Sequence, residues 1–276
     1  MELGISSLGY LSDIDLDKNY KNPIDLQIES FKQSLDFSEK NGIKIVELVI
    51  EPTNILKKEN HHKLVDLVKS YSLQIQIHGP FIDMNLCSYN KNISQASVQS
   101  YLDTIEFCHE LNSKTITIHP GYANFLLKSI RSFNTHQLKK NINILLDLSN
   151  KYEIDMCLEN MPKNANIMTD HINIKKVYEN INREDLFLTY DTSHYFMSNG
   201  NVEQLWKKFS NKIRNIHIVD SFDKKSDKHP ELGIGIINFK EIFEVIKSYN
   251  YNGPLIIELS SSKSLSKSIN FINKFL

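Results

Sequence analysis

Short β-branched and aliphatic runs alternate with longer stretches of helical periodicity from one end of the chain to the other. The runs predict strands at Leu3–Ser6, Ile43–Ile50, Leu73–His78, Thr115–His119, Ile154–Glu159, Leu186–Asp191, Ile213–Val219 and Pro254–Glu258. Between them, apolar residues spaced three and four apart predict helices at Ile24–Asn41, His62–Tyr71, Ser94–Asn112, Thr135–Tyr152, Ile172–Tyr178, Val202–Phe209, Phe239–Tyr249 and Lys263–Phe275. This repetition of βα units predicts the α/β class, specifically a (β/α)8 TIM barrel forming a single domain over residues 1–276. An open doubly wound sheet is the rival architecture, which strand count alone does not dismiss. No Gly/Ser linker, charge block or low-complexity tract marks a boundary.

Within the strands, the polar positions repeat a rule. In Gln74–His78, Ile75 and Ile77 share one face while Gln76 and His78 share the other. The same alternation sets Ile116 and Ile118 against His119, Met156 and Leu158 against Glu159, and Leu186 and Leu188 against Asp191. It also sets Ile216 and Ile218 against His217, and Leu255 and Ile257 against Glu258. Six consecutive strands thus end in a side chain that can ligate a metal, at the end of the barrel where such folds carry their chemistry. Taken singly, a His or Glu at a strand end is ordinarily a solvated or hydrogen-bonded group. Six in register are another matter, and the loops add His194, Asp227 and His229. Carboxylates converging on one mouth repel, because each unpaired charge removed from water costs several kcal/mol. Arginine is nearly absent from the chain, so bound divalent cations are the expected compensation.

Composition narrows the function without choosing it. The 276 residues are 41% hydrophobic and 24% charged, and 32 basic against 33 acidic side chains leave a formal charge of −1. No global field draws such a chain onto nucleic acid or an anionic membrane. There is no apolar run of membrane-spanning length and no signal-like N-terminus, and three scattered cysteines without a C-x-x-C pair fit a reducing compartment. A cytoplasmic protein is the expectation.

The motifs H-G-P-F, H-P-G-Y, L-E-N, D-T-S-H, H-I-V-D-S, D-K-H and I-I-E-L, in this chain order, resemble those of the xylose isomerase-like barrel superfamily. That superfamily includes endonuclease IV and the sugar or sugar-phosphate isomerases and epimerases. The resemblance runs over essentially the whole chain. It implies that His78, His119, Glu159, Asp191, His194, His217, Asp227, His229 and Glu258 match the nine ligand positions of a trinuclear centre. On that template Glu159 bridges one metal held by His78 and His119 and another held by Asp191, His217 and Glu258. His194, Asp227 and His229 would hold a third. The epimerase branch implies instead one metal on Glu159, Asp191, His217 and Glu258, with the two glutamates as an acid/base pair.

Two chemistries follow. The favoured expectation is a divalent-metal-dependent sugar or sugar-phosphate isomerase/epimerase, with Glu159 and Glu258 as catalytic groups moving a proton at a small polyhydroxylated or phosphorylated substrate. The alternative is an endonuclease IV-like, metal-dependent phosphodiesterase acting on abasic DNA, which makes fuller use of nine ligands. Two or three ions of zinc, manganese or iron are the expected cofactors. Glu47, Asn160 and Lys228 are expected substrate contacts, with Tyr122 beside them, and Lys57, Lys58, Lys224 and Lys225 are candidates for a cationic rim. Cys157 and Trp206 read as core. His61, His62, His109, His136 and His171 read as surface or packing residues.

Overall fold

The computed structural model describes residues 1–17, 22–56 and 58–276. Eight parallel strands close into one barrel in chain order: β1 (Glu2–Ser6), β2 (Ile45–Val49), β3 (Gln74–His78), β4 (Thr115–Ile118), β5 (Asp155–Glu159), β6 (Leu186–Asp191), β7 (Ile213–Ile218) and β8 (Pro254–Ile257). Closure is made by β1 pairing with both β2 and β8, so no strand edge is left open. The open-sheet alternative is therefore excluded. The helices are α1 (Leu8–Asp17), α2 (Pro23–Asn41), α3 (Lys58–Lys69), α4 (Lys91–Glu110), α5 (Arg131–Lys151), α6 (His171–Ile181), α7 (Thr192–Met197), α8 (Val202–Phe209), α9 (Phe239–Ser248) and α10 (Leu265–Ile272).

Two of these were not foreseen from periodicity. The α1 sequence mixes apolar and acidic residues without a strong stripe, yet Tyr10 and Ile14 are buried against the core. The single turn and a half of α7 begins directly at the end of β6, where the Asp191 carboxylate caps it by accepting a hydrogen bond from His194 N at 2.6 Å. Elsewhere asparagine and aspartate start the helices: Asn22, Asn90, Asp170, Asn201 and Asn238 each accept a bond from the first turn. These caps explain why α4 begins at Lys91, ahead of the apolar stripe that marks it in the sequence.

The outward aliphatic faces of the strands pack under the helices, and Trp206 is fully buried among Tyr190, Tyr249 and Tyr251. Inside the barrel the filling changes along the axis. Near the base, Gly4, Ile45 and Ile256 meet: a Cβ on Gly4 would stand 2.6 Å from Ile256 Cδ1 and 3.0 Å from the Ile45 carbonyl oxygen. Above them lies a polar layer in which Thr117 and Thr189 hydroxyls meet at 2.8 Å, and Asn215 Nδ2 donates to Glu47 at 2.8 Å and lies 3.2 Å from the Thr117 hydroxyl. Polar residues here form a floor on which the strand-end side chains rest. Because Gly4 sits where backbone of the neighbouring strand approaches, Gly4→Ala should cost about 1–3 kcal/mol through overpacking. A urea midpoint unchanged from wild type would show that the base of the barrel tolerates the methyl group.

Candidate metal centre

All nine residues expected as ligands reach the same end of the barrel. Glu159, Asp191, His217 and Glu258 come from β5, β6, β7 and the end of β8, and His78 from the end of β3. Four overlapping groups have ligand atoms mutually within 4.8 Å: His78, Glu159 and His217; Glu159, Asp191 and His194; Glu47, His217 and Glu258; and His194, Asp227 and His229. Glu159 is the hub. Its Oε2 lies 3.0 Å from His119 Nε2 and 3.4 Å from His78 Nε2, whereas its Oε1 lies 3.2 Å from His194 Nδ1 and 3.4 Å from His217 Nδ1. The two oxygens of one buried carboxylate therefore address two different sets of imidazoles.

The outer contacts of the imidazoles decide which nitrogen is free. His78 Nδ1 donates to the Gly79 carbonyl at 2.7 Å, and His194 Nδ1 donates to the Asn160 carbonyl at 3.0 Å, which turns both Nε2 atoms toward the mouth. His194 Nε2 and His229 Nε2 grasp the Asp227 carboxylate from two sides at 2.8 and 3.0 Å. His217 Nε2 rests 3.0 Å from the fully buried Glu47, which turns Nδ1 toward Glu159 and Glu258 at 3.4 Å each. Glu47 thus orients His217 from below while also offering an oxygen to the group it forms with His217 and Glu258.

Two expected substrate contacts are corrected by this geometry. Glu47 is sealed beneath His217 and does not line the mouth, because its strand places it one layer below the ligand ends. Asn160 is equally buried: its amide donates to the Asp191 carbonyl at 3.1 Å and accepts from Asp191 N at 2.8 Å, locking β5 to β6. Lys228 does line the mouth, as does Tyr122. Lys224 is drawn away toward Asn199 Oδ1 and the Phe196 ring, and Lys225 is exposed. Lys57 and the side chain of Lys58 lie outside the described residues.

The mouth opens into a cavity of about 410 Å³. Its walls include residues that the strand-end pattern did not single out: Leu8 and Ser12 from α1, Phe81 and Ile82 after β3, and Met161 and Pro162 after β5. The last four directly follow ligand motifs, so their position was the available signal. Glu51 holds the Phe81–Ile82 segment in place by accepting both backbone N–H groups at 3.2 Å.

Electrostatics expose the stress in this arrangement. Burial pushes Asp191 up to about 6 despite His194, while Glu258, which burial would also raise, is held at about 2 by His217 and His229. Burial would lower His217, yet Glu47, Glu159 and Glu258 push it well above its ordinary value; Asp191 and Asp227 do the same to His194. The Asp227 and Glu258 carboxylates close to the ring likewise overcome burial at His229 and raise it to about 10. Even so, Asp191 Oδ2, His217 Nδ1, His229 Nδ1 and Glu258 Oε2 are buried without a hydrogen-bond partner. Near-contact without alignment, as between His229 Nδ1 and Glu258 Oε1 at 3.1 Å, is what groups aimed at a common central ion display. The donor set, five imidazoles together with the Glu159, Asp191, Asp227 and Glu258 carboxylates, is of a kind that could hold divalent cations.

Residues 35–275 match the family described as xylose isomerase-like TIM barrel. The chain belongs to that family. Among its relatives are two uncharacterized proteins of Methanocaldococcus jannaschii. One is 27% identical over all of this chain and 89% of its own, the other 29% identical over all of both. A probable endonuclease 4 of Metamycoplasma arthritidis is 24% identical over 90% of this chain and 93% of its own. In structure, the barrel is similar to that of a D-tagatose 3-epimerase-like protein, at 26% identity with a TM-score of 0.82, covering 100% of this chain and 97% of the other. Clostridium cellulolyticum D-psicose 3-epimerase shares the fold at 14% identity, with a TM-score of 0.77 over 100% of this chain and 99% of its own. Among the described residues, no helix is long and apolar enough to cross a membrane.

Two measurements check this geometry. Glu47→Gln should weaken metal retention about 10–100-fold, the usual effect of losing an outer carboxylate behind a ligating histidine. A chelator competition giving wild-type affinity would remove Glu47 from the site. Because the raised histidines carry protons when no cation is bound, metal binding at pH 7 should release protons. Calorimetry in buffers of different ionisation enthalpy reads that release, and a buffer-independent heat would contradict the charge assignment.

Proposed function

We propose that this protein is a divalent-metal-dependent hydrolase of phosphoesters whose mouth holds two or three cations. One observation carries the reading. His194, Asp227 and His229 form a ligand group that shares only His194 with the strand-end cluster, and Glu159 turns one oxygen toward His78 and His119 and the other toward His194 and His217. Proton transfer at a single cation has no use for that second group, whereas displacement at phosphorus profits from several cations around one centre. Bound there, the cations would supply Lewis-acid stabilisation of phosphoryl oxygens and a nucleophile at neutral pH.

The chain's own residues supply the rest. Glu258 and Glu159 stand as carboxylates beside His217, and Glu258 faces the cavity, where it can accept a proton from an attacking water. Lys228, at the rim, offers a point charge to a substrate phosphate. Phe81, Ile82 and Met161 also line the cavity and would give the sugar or base of a substrate an apolar surface. The relatives named probable endonuclease 4 make abasic DNA the first substrate to try.

A second reading has its own support. Glu159 and Glu258 flank His217 Nδ1 at equal distance, and the D-tagatose 3-epimerase-like barrel covers the whole chain. That pair suits removal and return of a proton on a sugar or sugar phosphate bound at one cation. Both readings are tested by incubating the metal-loaded protein with a duplex carrying one abasic analogue, with small phosphodiesters, and with tritiated ketoses. Phosphoester cleavage is expected, lost in Glu159→Gln by more than the roughly 10–100-fold typical of an outer-shell change. Tritium exchange without cleavage would overturn the hydrolase and establish the isomerase.

A further inference from the structure

The segment joining β7 to α9 carries Asp227 and His229, yet it has no helix or strand of its own between Ile218 and Phe239. Its shape is set at its base. Asp220, two residues past β7 and 1% exposed, receives four backbone N–H groups on one carboxylate. Gly233 N and Gly235 N donate to Oδ2 at 2.9 Å each, and Ser221 N and Ile237 N donate to Oδ1 at 2.8 and 3.3 Å. Ile236 N adds a bond to the Ser221 carbonyl at 2.9 Å, closing the segment like a drawstring. Both glycines are required: Gly233 has φ +89°, and a Cβ on Gly235 would stand 2.2 Å from Asp220 Oδ1. Within the loop, Asp223 turns the tip by accepting Lys225 N and Ser226 N. Beyond the tip, the His229 carbonyl accepts Ser260 N at 2.9 Å, which ties the descending limb to the end of β8.

We infer that Asp220 is a positioning residue: its buried carboxylate closes the 221–237 loop and thereby presents Asp227 and His229 to His194 as one preformed ligand group. Asp220 belongs to none of the cation-capable clusters and does not line the cavity, so it acts through the loop. A buried carboxylate satisfied by four N–H donors is a rigid anchor, since every donor would otherwise be left unpaired on loss of the acceptor. The consequence for metal binding rests on the reading of Asp227 and His229 as ligands; the consequence for the loop does not.

Two variants probe the same contact from opposite sides. Asp220→Asn presents an amide to donors that need an acceptor, and Gly235→Ala pushes a methyl group against the intact carboxylate. Each is first shown to keep the wild-type far-ultraviolet circular dichroism, then titrated with zinc as apo-protein under native mass spectrometry and digested with trypsin without metal. The exposed Lys224, Lys225 and Lys228 report loop opening. Wild type should take three ions, and the variants should keep two while the third weakens about tenfold or more, as loss of an outer-shell group does. Cleavage at the three lysines should quicken about tenfold or more, with other sites unchanged, as expected of local opening. Unchanged tryptic rates in both variants would overturn the proposal, as would a third ion bound with wild-type affinity. If wild type binds fewer than three ions, the trinuclear reading fails instead, and the tryptic rates alone decide the role of Asp220.

Discussion

Five carboxylates and five imidazoles share one end of this barrel, and everything distinctive about the molecule follows from keeping them together. Among the described residues, every ion-pair partner of Glu47, Glu159, Asp191, Asp227 and Glu258 is a histidine. Protonated histidines can neutralise part of that charge, and the raised values of His194, His217 and His229 reflect the carboxylates around them, whereas burial lowers His119. Protonation leaves Asp191 Oδ2 and Glu258 Oε2 without donors, however, and buried acceptors without donors are costly. Cations at the foci of the cluster would satisfy the same atoms at once.

The fold makes such a concentration tolerable by building it from below. Strand ends hold the candidate ligands, a layer of Thr117, Thr189, Asn215 and Glu47 supports them, and small or aliphatic residues fill the base. Asp191 illustrates the economy of the arrangement: one oxygen caps α7 while the other points free toward the cluster, so helix start and candidate ligand are the same residue. The β7–α9 loop solves the same problem without a strand, by gathering backbone N–H groups onto a buried carboxylate. The precision that a metal site needs is supplied in both cases by groups behind the ligands.

Much of this was legible in the residue order. Alternation along β3 through β8 separates the aliphatic face from the one carrying the candidate ligands, and the eight-unit rhythm predicts a barrel whose closure only the pairing of β1 with β8 decides. What escaped lay where no period exists. The short α7 is set by one cap, α1 by burial of Tyr10 and Ile14, and the inward depth of Glu47 and Asn160 by closure of the barrel. Alternation tells which face a side chain takes, and it does not tell which layer; Glu47 is on the expected face but one layer below the mouth. The role of Asp220 was hidden for a related reason, since its partners are backbone groups that any sequence possesses.

The central claim is that cations occupy the foci of this cluster, and anomalous X-ray diffraction from crystals grown with zinc or manganese tests it most directly. The account predicts strong anomalous peaks within coordination distance of both Glu159 oxygens, one toward His78 and His119 and one toward His217, Asp191 and Glu258. A well-ordered crystal without a peak there, in which the carboxylates are paired with protonated histidines alone, would contradict it.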